Sequence, residues 1–159
     1  MIGRQYGYYP TDNVDETFLI DWALETSLDF WVSKTYRQWM PNADNAEANI
    51  TAAAEGFAKF NKLIADKLTA RGEGATFFAG DRLTIADFTI FSHYMSMSHN
   101  DACTLPIKPA AAAKVAETPV VEAYIARMKV AMADYMSTRV ARPIWTILES
   151  FIDLQIFDL

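Results

Sequence analysis

Leu83-Thr84-Ile85-Ala86-Asp87-Phe88 constrains the fold more than any other stretch, because two helix-start signals interlock within six residues. Thr84 suits the N-cap and Asp87 the N3 position, so each side chain can accept a backbone N–H at the mouth of a helix, an Asp variant of the capping box. Leu83 and Phe88 stand at the two positions of a hydrophobic staple. Losing such a cap typically costs about 1 kcal/mol. The helix that follows should run through Phe91 and Met95 and fade near Asn100.

Helical periodicity surrounds this start. Ile20, Leu24, Leu28 and Trp31 recur at spacings of four, four and three within a first long helix expected from Val14 to Met40, which Pro41 would end. Leu19, Ala23 and Phe30 form a second apolar face of that helix. Ile50, Ala53, Phe57, Phe60, Ile64 and Leu68 make a second stripe that stops at Gly72-Glu73-Gly74, read as a helix packing against the first. Thr118-Pro119 reads as N-cap and first helical position of another helix, with Val121, Ile125, Met128 and Met132 as its buried stripe. The stretch between Asn100 and Thr118, with Pro106, Pro109 and four alanines, reads as irregular. Past Pro143 lies an amphipathic segment carrying Ile144, Trp145, Leu148, Phe151 and Ile152. No alternating strand pattern occurs, so the expected fold is an all-α helical bundle.

Composition narrows the functional classes. A chain of 159 residues, 52% hydrophobic and 21% charged, holds enough apolar surface for one buried core. Its formal charge of -6 has the wrong sign for gripping phosphate backbones, so nucleic acid is an unexpected partner. With Cys103 as the single cysteine, neither an internal disulfide nor a cysteine-based zinc site can form, which points to a reducing, cytoplasmic setting. Nothing approaches the roughly twenty apolar residues of a membrane span. His93, His99, Asp101 and Cys103 are possible metal ligands in one window, but the two histidines are six apart and face different sides of any helix, so no metal site is expected.

The segment from Phe78 to Phe88, with its Gly80-Asp81-Arg82-Leu83-Thr84-Ile85-Ala86-Asp87 core, resembles the carboxy-terminal all-helical domain of the cytosolic glutathione S-transferases. Ile2 to Pro10 resembles the end of the last helix of that family's thioredoxin-like domain and its linker, and Leu19-Ile20-Asp21 the start of the first all-helical element. The resemblance implies three parts: residues 1–10 as helix end and linker, 11–143 as the helical domain, and 144–159 as an additional amphipathic segment. It also implies that the thioredoxin-like domain, which activates glutathione's thiol, is missing from this sequence. No catalytic residue and no cofactor are then expected in this chain, with glutathione a substrate only of an intact transferase.

Asp21, Glu25 and Asp29 share one face of the first helix, where like charges four apart repel by roughly 0.2 to 0.5 kcal/mol per pair. Taken alone, the ridge reads as a solvated face. The family resemblance implies more: carboxylates at Asp21 and Glu25 pairing with Arg4 across a two-fold dimer, and Asp29 reaching glutathione bound by the opposite subunit. It also implies a hydrophobic acceptor pocket around Trp31, Lys34 and Tyr36, although large aromatics at helical spacing are more often core. Two functions stay open at this point. One is a transferase-like domain, not catalytic alone, that contributes a pocket and dimer contacts. The other is a non-catalytic scaffold or interaction subunit of a larger assembly.

Overall fold

The computed structural model describes residues 2–30, 46–72, 76–102 and 107–139. Within them the regular elements are helices: α1 (Ile2–Gln5), α2 (Val14–Asp29), α3 (Ala46–Arg71), α4 (Ile85–Met97), α5 (Ile107–Ala116), α6 (Pro119–Ala131) and α7 (Ala133–Thr138). No strand occurs among the described residues. The expected all-α bundle is the fold observed.

The centre of the bundle is α4. Ala86, Asp87, Ile90, Phe91, His93, Tyr94, Met95 and Met97 are all buried along its 13 residues, so it is enclosed on most of its circumference. Such a helix must be covered from several directions. One side packs against α2 and others against α5 and α6. Phe57 and Phe60 of α3 reach it through edge-on and tilted ring contacts with Tyr94, their centroids 5.9 Å away in both cases.

The second stripe forms as its spacing predicts. Ala53, Phe57, Phe60, Ile64 and Leu68 are buried along α3, and Gly72 closes the helix at φ +79°, the left-handed conformation that favours glycine. Its packing partners differ from the expectation. The main contacts of α3 are with α5 and α6 rather than with α2, whose principal partner is α4. A periodic stripe specifies which face is buried, and leaves open what covers it.

Two further expectations are corrected. The buried residues of α2 are Ile20, Ala23 and Ser27, followed by Phe30 just past its end, whereas Leu28 is 55% exposed. The covered face therefore keeps Ile20 and, partly, Leu24, loses Leu28, and includes Ala23 and Phe30 of the second expected face, with the small Ala23 and Ser27 among its buried residues. The stretch through Pro109 is also helical rather than irregular, since α5 spans it and buries Ile107, Ala111 and Val115. Pro109 is the third residue of α5, where its missing N–H would have no intrahelical partner anyway. The continuation of the first helix to Met40, the ends at Pro41 and Gly74, Cys103, and the segment after Pro143 lie outside the described residues.

Candidate functional site

The outward face of α2 begins at its cap. The Asn13 side chain accepts from the N–H groups of Asp15 and Glu16, at 3.1 and 3.2 Å, and those two acids sit in the first turn where the helix dipole favours negative charge. Opposite the buried stripe, Val14, Phe18, Asp21, Glu25 and Leu28 recur at spacings of four and three, which places them on one exposed face. Phe18 is 62% exposed. The ridge thus carries two carboxylates between apolar ends.

The linker meets this ridge through Tyr9. Its hydroxyl donates to Asp21 at 2.7 Å, and the Arg4 guanidinium lies 5.2 Å from the centre of its ring. Donation to the Asp21 carboxylate, with burial and the adjacent negative charge, raises the pKa of the Tyr9 hydroxyl. Within one chain, then, Tyr9 stands between Arg4 and Asp21. The spacing of Arg4 and Asp21 held no hint of that tyrosine's role.

At the far end of α2, an open groove of about 430 Å³ separates it from α3. Thr26, Asp29 and Phe30 line one side and Gly56, Lys59, Phe60 and Leu63 the other. Phe30 and Phe60 stack at 4.6 Å and supply an apolar floor. A floor of this kind flanked by a carboxylate and an ammonium can hold a small molecule that carries both charges and an apolar part. Asp29, expected to reach glutathione held by an opposite subunit, lines this groove, while the residues expected around the acceptor pocket, Trp31, Lys34 and Tyr36, lie outside the described residues.

The Leu83-to-Phe88 segment builds the support rather than the surface. A capping box spans Thr84 and Asp87. Asp87 Oδ2 accepts from the Thr84 N–H and hydroxyl, both at 2.9 Å, while Oδ1 accepts from the Phe78 N–H at 2.7 Å and the Tyr124 hydroxyl at 3.0 Å. Burial pushes the Asp87 pKa up, and these four donors oppose the shift without cancelling it. Leu83 packs against the core and Phe88 meets Tyr8 edge-on at 5.0 Å. The Tyr8 carbonyl in turn accepts the Ile85 N–H at 3.0 Å, fastening the linker to the start of α4.

Arg82 ties the same loop to the first turn of α2. Its guanidinium donates to Glu16 at 2.8 and 3.1 Å and to Asp12 at 3.1 Å. Gly80 makes room for that clamp, since a Cβ there would stand 2.5 Å from Glu16 Oε1. A second buried node centres on Asn61, which donates to the Lys114 carbonyl and the Thr118 hydroxyl and accepts from Tyr94. Asn61, Tyr94 and Tyr124 escaped sequence reading because only the meeting of distant helices gives each its partner. A polar residue directly beside the buried Phe60 was the one available signal for Asn61.

His93 is buried between Phe30 and Phe60, and burial pushes its pKa down to about 4. His99 is half-buried beside Ser98, its pKa lowered by burial and by Lys129. Among the described residues no group of histidine, cysteine or acidic side chains could hold a metal, and no helix is long and apolar enough to cross a membrane.

Residues 29–130 match the family model described as glutathione S-transferase, C-terminal domain. That span covers most of the described helices, from the end of α2 to the end of α6. A search of curated proteins finds no match.

Proposed function

Because the chain belongs to the glutathione S-transferase C-terminal domain family, we propose that it acts as the helical half of a glutathione transferase-like protein. In this reading it is not catalytic alone, and it contributes an apolar acceptor pocket and contacts to a second copy. The thiolate that attacks an electrophile needs a group that lowers the thiol's pKa. That task falls to a thioredoxin-like domain, in the same polypeptide or in another chain.

The outward face of α2 carries this reading. Asp21, Glu25 and Asp29 are exposed on a helix whose opposite side is buried, and Asp29 opens onto the groove shared with Lys59. Carboxylates four apart on one helix face repel one another. Across a two-fold axis they can meet cations such as Arg4, and Asp29 can reach a ligand held by the other subunit. The apolar residues Val14 and Phe18 on the same face also suit the scaffold reading, in which a different protein occupies the ridge.

Two measurements test the proposal. Mixed with glutathione and a chlorinated nitroaromatic electrophile, the purified chain should show only the background rate, and clear acceleration would overturn the non-catalytic assignment. In sedimentation at low salt, Asp21→Lys should weaken self-association about tenfold or more. Tyr9→Phe, which removes only the local hydrogen bond, should leave association intact. Unchanged association in Asp21→Lys would remove the cross-dimer pairing.

A further inference from the structure

A further groove, of about 500 Å³, lies between α2 and α4 and shares no lining residue with the one between α2 and α3. Leu24 and Leu28 of α2 and Phe88 of α4 give it apolar walls. Ser27, Thr89 and Ser92 bring hydroxyl-bearing side chains to the same lining, which His93 completes. No carboxylate, ammonium or guanidinium lines it among the described residues.

The three hydroxyls differ in what they can still offer. Thr89 donates to the Ile85 carbonyl at 2.8 Å and Ser92 to the Thr89 carbonyl at 2.7 Å, so each has committed its proton within α4 and presents acceptor lone pairs. Ser27 is 1% exposed, and its hydroxyl makes no hydrogen bond among the described residues. A buried polar group without a partner is unfavourable and uncommon, and here it borders a cavity.

We propose that this groove binds a small uncharged molecule with an apolar ring system and one hydroxyl, an alcohol or phenol, whose oxygen accepts from Ser27 and whose proton goes to Thr89 or Ser92. The lining sets the class. An ion there would lose water without gaining a counter-ion, and burial keeps His93 neutral at pH 7 by pushing its pKa down to about 4. Leu24, Leu28 and Phe88 take the rings. A hydroxyl both accepts and donates, so it alone uses the free donor on α2 and the acceptors on α4 together. The proposal concerns two helices of one chain and stands apart from the transferase reading, so either can fail without the other.

Titration of the full chain at pH 7 with three naphthalene probes tests it. Binding of 1-naphthol should saturate, and 1-naphthoate, which carries a charge on the same rings, should bind at least about tenfold more weakly. Ser27→Ala should weaken 1-naphthol about fivefold and leave 1-methylnaphthalene, which has no hydroxyl, unchanged. Leu28→Glu should weaken both by about tenfold or more, because it sets a charge in the apolar wall. Absence of saturable 1-naphthol binding, equal binding of the naphthoate, or 1-naphthol affinity unchanged in either variant would overturn the proposal. Thermal unfolding supplies an independent reading. Ser27→Ala should hold or raise the Tm, since it removes an unpaired buried hydroxyl, and a fall of more than about 5 °C would show that hydroxyl to be paired inside the bundle and would also overturn the proposal.

Discussion

Two sets of carboxylates stand under opposite physics: Asp87 inside the bundle, and Asp21, Glu25 and Asp29 on the outward face of α2. Asp87 is wholly buried and its two oxygens accept four hydrogen bonds from three other residues. It joins the loop after α3, the cap of α4 and the tyrosine of α6. The ridge acids are exposed, where charge is screened and a single pair such as Tyr9 with Asp21 contributes little to holding the chain together. Burial makes a carboxylate structural because its partners cannot turn to solvent instead. Exposure lets a carboxylate exchange its partners with water.

The largest effect should come from breaking the buried member. Asp87→Ala leaves the Phe78 and Thr84 N–H groups and the Thr84 and Tyr124 hydroxyls without their acceptor, and should cost about 4 kcal/mol in denaturant unfolding. Asp87→Asn, which keeps the volume, should cost about half as much. A loss below about 1 kcal/mol for the alanine variant would mean that the network is solvated rather than closed.

Acid should expose the same contrast through His93. Its folded pKa of about 4 lies below the ordinary 6.5, so the unfolded chain binds the proton first. This neutral histidine's stabilising contribution is fully present above pH 6.5 and is lost as the pH falls toward 4, a change of about 3 kcal/mol. Asp87, with its pKa raised above 3.8, contributes the opposite slope just above that value, because there the folded form holds the proton more tightly. Unfolding followed by pH should therefore show the acid loss in the native chain and a flatter profile in His93→Gln.

The smallest effect belongs to the ridge. Glu25→Gln should change monomer stability by no more than about 0.5 kcal/mol, in the stabilising direction, because it relieves repulsion from Asp21 and Asp29. Destabilisation beyond that would show that the outward face supports the fold and would erase the distinction from Asp87.

The cap of α4 and the stripe of α3 were legible because both depend on neighbours within a few turns. Thr84 and Asp87 are three residues apart, and Phe57, Phe60 and Ile64 share a face whatever covers them. The helix through Pro109 was hidden by a local rule that loses its force in a first turn. On α2, Leu28 pointed to the wrong line, whereas Leu24 packs partly buried against the core.

By itself, the order of residues determined where α4 and α6 start and which face of α3 must leave water, since capping and periodicity act over one or two turns. Only the tertiary structure decided that α4 lies at the centre, that Tyr124 and Asn61 complete buried networks, and that Tyr9 stands between Arg4 and Asp21. The hydrogen bonds among them join residues from 12 to 57 positions apart, and a bond over that distance exists only once the packing of whole helices has brought its two ends together.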